Sequence, residues 1–309
     1  MKELLRGIVP PVVTPLRSQT ELDTAGLTRL VDHLVTGGVA GLFILGTTGE
    51  GPALSYRLRY ALVEQTAIAL RGRRPLLVGV SDTSLEESVR LAEHATKCGA
   101  TAVVATPTYY FPRTEREHVR YFHQLADRSP LPVFVYNMPA CVGVKLSLDT
   151  VTQCTPHRNI IGLKDSGGDL TAFKQFLTLR EQRPDWSFLI GPEHLLADAV
   201  LAGGDGGVHA GANFVPELFV NWFRAAERRD LAEVARLRER VIQLGRIYEV
   251  GGDFLSVARG IKCALSIRGI CSDVMAEPAT AYEDEQRLLI ARFVDELLNV
   301  EQRVLAPGQ

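Results

Sequence analysis

Eight short apolar runs, each followed by a longer segment with helical spacing, constrain the fold of this chain more than any other feature. The predicted strands are Ile8–Thr14, Gly41–Leu45, Leu76–Val80, Ala102–Thr106, Val133–Tyr136, Ile160–Leu163, Phe188–Ile190 and Gly207–Ala210. The predicted helices are Thr24–Thr36, Tyr56–Leu70, Leu85–Lys97, Glu115–Arg128, Leu148–Gln153, Leu170–Glu181, Glu193–Leu201 and Pro216–Arg228. Strands that are apolar throughout are typical of parallel sheets covered by helices, so the alternation predicts an α/β fold.

The number of repeating units favours a closed barrel over an open sheet. Eight β-then-α units in about 225 residues match the length of a (β/α)8 TIM barrel. A doubly wound open sheet would usually carry a glycine-rich phosphate loop after its first strand. Here the first predicted strand leads into Pro15-Leu16-Arg17, and Gly203–Gly207 does not complete the dinucleotide motif because His209 occupies its last glycine position. The barrel is therefore the predicted architecture.

The strand pattern stops near residue 228. Three helical segments follow, at Leu231–Glu249, Phe254–Ser266 and Tyr282–Val300, and no low-complexity linker precedes them. The sequence thus predicts a barrel over residues 1–228 and a C-terminal three-helix extension over residues 229–309 that packs on it.

Composition excludes several classes of function. The 309 residues contain 34 Lys+Arg and 36 Asp+Glu, so there is no basic excess to neutralise nucleic-acid phosphates. Because no apolar run reaches the roughly 18–20 residues that span a bilayer and no signal peptide is evident, we expect no membrane association and a cytoplasmic location. The odd, scattered cysteines, without a C-x-x-C pair, indicate free thiols in a reducing compartment; they are Cys98, Cys141, Cys154, Cys263 and Cys271.

Polar residues follow several predicted strands directly. They are Gly46–Glu50 after the second strand, Thr106–Tyr110 after the fourth, Tyr136–Pro139 at the fifth, Lys164 at the sixth and His209–Asn213 at the eighth. In TIM barrels the active site lies at the C-terminal ends of the strands. We therefore expect these segments to meet in one site.

Lys164 is the most informative of these residues. It follows the apolar run Ile160–Leu163, and desolvation at a barrel mouth disfavours the charged ammonium, leaving an amine that attacks carbonyl carbon. From position alone, a lysine that pairs with Asp165 or reaches solvent is an equally good interpretation.

Two further segments have a functional and a structural interpretation each. Thr47 and Thr48, between glycines, could hold a carboxylate through hydroxyl and backbone N–H groups, or could belong to an ordinary β-to-α turn. Tyr136 could carry protons, or could simply pack in the core.

The histidines do not indicate a metal site. His118 and His123 are five residues apart on a predicted helix and so do not share a face, and no His-Glu-x-x-His motif occurs. His209, at a strand end, is better placed, with shaping of the pocket as one interpretation. We expect no metal and no organic cofactor.

Three motifs together resemble one family. Gly46-Thr47-Thr48-Gly49-Glu50, Tyr136-Asn137-x-Pro139 and Gly162-x-Lys164-Asp165 stand in the order and spacing of the dihydrodipicolinate synthase / N-acetylneuraminate lyase family, the Schiff-base-forming pyruvate aldolases. The resemblance covers essentially the whole chain, including the three C-terminal helices.

This resemblance implies specific roles. Lys164 would form an imine with pyruvate or a 2-oxo acid, and Tyr136 would be the acid/base. Thr47 and Thr48 would hold the substrate carboxylate, and the main chain at Val208 would line the pocket.

The resemblance also implies a homo-oligomer, either a dimer or a tetramer. Tyr109 would complete a hydroxyl relay with Thr47 and Tyr136, reaching across a subunit interface.

One position in the sequence distinguishes between the possible substrates. The synthases of this family typically carry an arginine two residues after the proline of the Tyr-Asn-x-Pro motif, whereas here Cys141 follows Ala140. A thiol cannot form a bidentate contact with a carboxylate. The sequence therefore favours an aldolase that releases pyruvate from a 2-oxo-3-deoxy acid, with Cys141 at the substrate rim. The alternatives are the synthase reaction of pyruvate with aspartate semialdehyde, and a non-catalytic 2-oxo acid sensor.

Overall fold

The computed structural model describes residues 4–305. Residues 1–3 of the predicted barrel and residues 306–309 of the predicted extension lie outside it. Its strands are β1 Gly7–Ile8, β2 Leu16–Ser18, β3 Glu21–Leu22, β4 Leu42–Ile44, β5 Leu76–Gly79, β6 Ala102–Ala105, β7 Val133–Asn137, β8 Ile160–Asp165, β9 Ser187–Ile190 and β10 Gly206–Gly207. Its α-helices are α1 Thr24–Thr36, α2 Tyr56–Leu70, α3 Leu85–Lys97, α4 Glu115–Arg128, α5 Pro139–Val142, α6 Leu148–Cys154, α7 Leu170–Leu177, α8 Leu196–Leu201, α9 Pro216–Glu227, α10 Leu231–Glu249, α11 Ser256–Ile267 and α12 Asp284–Leu305.

Eight of these strands form one parallel sheet in the order β1-β10-β9-β8-β7-β6-β5-β4. A parallel bridge between Pro11 and Phe43 joins the two edges, with the Val12 N–H donating to the Phe43 carbonyl over 2.8 Å. The sheet is thereby closed, and the predicted (β/α)8 barrel is confirmed.

The first and last barrel strands are shorter than predicted. Pro10 and Pro11 have no N–H for the ladder, so β1 ends at Ile8 instead of continuing to Thr14. Strand β10 consists of two glycines, and a Cβ on Gly206 would lie 1.9 Å from the Gly7 carbonyl oxygen. Only glycine permits this approach of the two backbones.

A hairpin and a short helix were not predicted. The antiparallel hairpin β2–β3 follows β1, and Leu16 in it also pairs with Val274 of the C-terminal extension. The four-residue helix α5 follows β7 and carries Cys141. The predicted helix Leu170–Glu181 is α7 followed by a 3-10 turn at Thr178–Glu181.

Apolar side chains form one core inside the barrel and a second between the sheet and the helices. The inner core includes Val9, Phe43, Phe134, Leu189 and Val208. The extension packs on α9, where the buried Trp222 indole donates to the Val234 carbonyl of α10 over 3.0 Å. The extension is thus joined to the barrel by apolar packing and hydrogen bonds.

Within the part of the chain described, no helix is both long enough and apolar enough to cross a membrane. The cytoplasmic location stays a prediction.

Candidate active site

Lys164 lies inside the mouth of the barrel, on β8, with 5% of its surface exposed. Its Nζ is 3.6 Å from the centroid of the Tyr136 ring and 5.1 Å from that of Phe43. Tyr136 is its register partner on β7. Two aromatic faces therefore border the amine on the inner side of the sheet.

Asp165 does not pair with this lysine. Successive side chains on a strand point to opposite faces, so Asp165 points out of the barrel, where it accepts hydrogen bonds from Asn137 Nδ2 (2.6 Å) and from the Gly167 N–H (3.1 Å). Burial raises the pKa of the Asp165 carboxyl. Among the described residues no carboxylate forms an ion pair with Lys164, so the interpretation in which it pairs with Asp165 or reaches solvent is not the one the structure has, and its role as the nucleophile stays a prediction.

The loop after β4 brings two threonines to the same place. The Gly51 N–H donates to the Gly46 carbonyl over 3.2 Å and closes the loop. Gly49 is required, because a Cβ there would lie 2.7 Å from the Val12 carbonyl oxygen. The Thr47 hydroxyl lies 3.4 Å from the Tyr136 hydroxyl. A hydroxyl pair suited to proton relay thus lies beside the lysine.

A cleft of about 730 Å³ opens at this end of the barrel. Five of the predicted site residues line it together: Lys164, Tyr136, Thr47, Thr48 and Val208. The tight spacing follows from the parallel sheet, whose C-terminal strand ends meet at one rim.

A second cavity of about 380 Å³ shares Thr47 and Tyr136 with the cleft and is lined by Cys141 and Tyr109. Cys141 is exposed as a residue, yet neighbouring atoms partly desolvate its thiol and raise its pKa, while a hydrogen bond with Thr47 and the charge of Lys164 oppose that rise. Cys141, where the family resemblance led us to expect an arginine in a synthase, thus lies beside Thr47, one of the two threonines predicted to hold the substrate carboxylate.

Tyr109 is half-buried, and burial together with the Asp82 carboxylate raises its pKa. Among the residues described for this single chain, no hydrogen bond joins Tyr109 to Thr47 or Tyr136. The relay across a subunit interface therefore stays a prediction.

His209 lies behind the cleft wall and does not line it. The ring is fully buried, its Nδ1 is 2.9 Å from the Gly191 carbonyl oxygen, and it stacks on Phe219 at 5.5 Å. Burial lowers the pKa of His209 to about 3, so the ring is neutral. A Cβ on Gly207 would lie 1.8 Å from its Nε2, which shows that the imidazole fills the space behind β10.

Glu193 and Tyr248, which the sequence did not predict as site residues, also line the cleft. Glu193, after β9, accepts hydrogen bonds from the Gly211 N–H (2.7 Å) and from the Tyr248 hydroxyl of α10 (3.1 Å). Burial raises the pKa of Glu193 to about 7, and burial together with this carboxyl raises the pKa of Tyr248. The available signal was an acidic residue three positions after the end of the seventh predicted strand.

No three His, Cys, Asp or Glu side chains within residues 4–298 are arranged to hold a metal ion. Whether catalysis is independent of metal stays a prediction, which chelation tests.

Comparison with known proteins places the fold and the motifs in one family. The model of the dihydrodipicolinate synthetase family matches residues 4–297. The chain belongs to this family. It is 35% identical, over 92% of its length and 96% of the relative's, to the "Probable 2-dehydro-3-deoxy-D-pentonate aldolase YjhH" of Escherichia coli K12. It is 33% identical, over 92% and 94% of the two chains, to the "Putative 2-dehydro-3-deoxy-D-gluconate aldolase YagE" of the same organism.

Solved structures of the family agree with the barrel. Dihydrodipicolinate synthase from Bacteroides thetaiotaomicron superposes with a TM-score of 0.92 at 44% identity, covering 94% of this chain and 98% of that one. YagE in complex with pyruvate superposes with a TM-score of 0.89 at 31% identity, covering 95% and 98%. This chain is accordingly an aldolase or lyase of the dihydrodipicolinate synthetase family.

Proposed function

We propose that this lyase interconverts a 2-oxo-3-deoxy acid with pyruvate and an aldehyde through an imine on Lys164. The observation that carries the proposal is the buried Lys164 amine, 3.6 Å from the Tyr136 ring centroid, in one cleft with Thr47 and Thr48. An amine in apolar surroundings is a nucleophile towards the keto carbon of a 2-oxo acid.

The chemistry needs only groups that this cleft contains. The Lys164 amine adds to the C2 carbonyl, and loss of water gives a protonated imine. When the C4 hydroxyl loses its proton, the C3–C4 electron pair moves towards the imine nitrogen, an aldehyde leaves and an enamine remains. A proton then adds to C3, and water hydrolyses the imine to release pyruvate and the free lysine.

Tyr136 and the threonines have distinct tasks in this scheme. The Tyr136 phenol, 3.4 Å from the Thr47 hydroxyl, accepts and returns the protons. Thr47 and Thr48 bind the substrate carboxylate through their hydroxyls and the N–H groups of the glycine-bordered loop. Val208 lines the same pocket.

The size and polarity of the cleft suit a substrate that carries a hydroxylated carbon chain beyond its pyruvate unit. A cleft of about 730 Å³ has room for a substrate longer than three carbons. Glu193 and Tyr248 offer hydrogen-bonding groups along it, and Cys141, in the adjoining cavity, adds no charged group beside Thr47. The two relatives named as aldolases of 2-dehydro-3-deoxy sugar acids point to the same class.

The synthase reaction with aspartate semialdehyde is the second candidate, because a structure 44% identical to this chain is titled a dihydrodipicolinate synthase. A second substrate carboxylate would need a cation. Arg238 lines the cleft, but both of its contacts at 3.0 Å go to the Asp198 carboxylate. With Cys141 in place of the arginine, the aldolase reaction is the better fit.

We further propose that the chain works as a homo-oligomer. Tyr110 and Phe111, which follow Tyr109, are 85% and 62% exposed and contact each other at 5.1 Å between ring centroids. Such an aromatic pair beside the cavity at Thr47 suits an interface that covers the site. Sedimentation of a fully active monomer would refute this part.

The experiment that tests the catalytic proposal is a panel of 2-oxo-3-deoxy acids assayed for pyruvate release, with pyruvate plus aspartate semialdehyde as the rival assay. Borohydride reduction in the presence of pyruvate should give one adduct, on the peptide that contains Lys164. Lys164→Ala should abolish both adduct and turnover. The matched control Lys174→Ala, on the outer helix α7, should change neither. An adduct at another lysine, or turnover in Lys164→Ala, would contradict the proposal.

A further inference from the structure

Glu50 and Lys262 form an ion pair that joins the barrel to the C-terminal extension. The Lys262 Nζ on α11 donates to Glu50 Oε1 over 2.7 Å, and the Ala276 N–H donates to Glu50 Oε2 over 2.7 Å. Lys262 is 0% exposed, and the Glu50 side chain is 3% exposed. Both carboxylate oxygens of a barrel loop are thus bound by the extension.

Stability alone is a poor explanation for such a pair. Removing two charges from water costs about as much as their attraction returns, and buried ion pairs can often be replaced by apolar residues without loss of stability. Burial lowers the pKa of the Lys262 ammonium, and the Glu50 carboxylate opposes that change. A pair of this kind fixes a geometry more than it adds free energy.

The geometry that Glu50 fixes is that of the loop that carries Thr47 and Thr48. The Glu50 N–H donates to the Thr47 carbonyl over 3.0 Å. The loop is bordered by two non-glycine residues in the left-handed region, Leu45 at φ 59° and Glu50 at φ 55°. Backbone in this region persists only where the surroundings hold it, and such positions concentrate at functional sites.

We propose that Glu50 and Lys262 are positioning residues, whose buried ion pair holds the Thr47–Thr48 loop in the conformation that receives the carboxylate of the 2-oxo acid. The inference rests on the proposed function of that loop. It gives the C-terminal extension a part in substrate binding, through α11 and the segment at Ala276, although neither touches the lysine that would form the imine.

The test compares substrate binding with stability in four variants. Glu50→Gln keeps the shape and removes the charge, Glu50→Asp keeps the charge and shortens the reach, and Lys262→Met leaves the carboxylate without its cation. The control is Asp205→Asn, which removes a buried carboxylate of the same kind at the opposite end of the barrel, where Asp205 binds Arg180 over 2.6 Å and the Phe188 N–H over 2.8 Å.

We expect KM for the 2-oxo acid to rise about 10–100-fold in the Glu50 and Lys262 variants, the cost of displacing a positioning group by an ångström or so. The rate of pyruvate adduct formation at saturating pyruvate should change by less than about threefold, because Lys164 itself is untouched. Asp205→Asn should lower the free energy of unfolding and leave KM unchanged. Where Lys262→Met does not fold, Glu50→Asp and Glu50→Gln carry the test.

A KM within about twofold of the wild type in the folded Glu50 variants, with reduced stability, would overturn the proposal and leave the pair a structural one. A wild-type protein that neither forms the pyruvate adduct nor turns over any substrate of the panel would overturn the catalytic proposal as well. A wild type that does both, beside variants with unchanged KM, would overturn the positioning role alone.

Discussion

Neutralising Glu193 should change how the stability of the protein depends on pH. Its carboxyl lies at the cleft between the Gly211 N–H and the Tyr248 hydroxyl, and burial raises its pKa to about 7. Glu193→Gln keeps the volume and one acceptor oxygen but removes the titration. The substitution therefore isolates the cost of ionising this buried carboxyl.

The magnitude follows from the two pKa values. A carboxyl with a pKa of about 7 when folded, against 4.5 when unfolded, costs up to about 3 kcal/mol more to ionise in the folded chain. Because the folded pKa is the higher one, the stabilisation is fully present below about pH 4.5 and is lost as the pH rises through about 7. Between about pH 5 and about pH 8 the wild type should therefore lose about 2–3 kcal/mol of stability relative to Glu193→Gln.

Urea denaturation followed by tryptophan fluorescence, at a series of pH values and with both proteins in parallel, measures this difference. Tyr248→Phe is the matched control. It removes a hydrogen bond that favours the charged carboxylate, so the pH at which stability is lost should move upwards. Parallel pH profiles for the wild type and Glu193→Gln would refute the reasoning, because Glu193 would then titrate at its ordinary pKa.

Three further predictions concern the reaction. Tyr136→Phe should still form the borohydride-trappable adduct but lower kcat about 10²–10⁴-fold, the usual loss for a general acid/base, and a near wild-type kcat would remove Tyr136 from the mechanism. Cys141→Arg should raise kcat/KM for condensing pyruvate with aspartate semialdehyde by about 10–100-fold, because one charge-assisted hydrogen-bonded pair is worth about 1.5–3 kcal/mol. An unchanged kcat/KM would mean that this position does not face the second substrate. Incubation with EDTA should leave the rate of pyruvate release unchanged, and a loss that Zn²⁺ or Mg²⁺ reverses would contradict a metal-free reaction.

The sequence by itself determined the barrel, the helical extension and the central lysine. These depend on local signals: the period of apolar residues distinguishes strand from helix, and the position after a strand places Lys164, Tyr136 and Thr47 at one rim. The family motifs, read in order, then indicated the chemistry, and the family match confirms that the chain is an aldolase or lyase. Strand length was one local error: β1 is shorter than predicted because apolar character extends past the prolines that end the ladder, and β10 is shorter as well.

Only the tertiary structure decided which charges are paired. Whether Lys164 meets Asp165 depends on the face of the sheet to which each side chain points, and the two point to opposite faces. Glu193 and Tyr248 are 55 residues apart, and Glu50 and Lys262 are 212 residues apart, so no local pattern relates them. Their contacts exist because the extension folds back over the open end of the barrel. Burial there makes an unpaired charge costly, so each of these contacts has a large effect on the ionisation and the geometry of the groups that it joins.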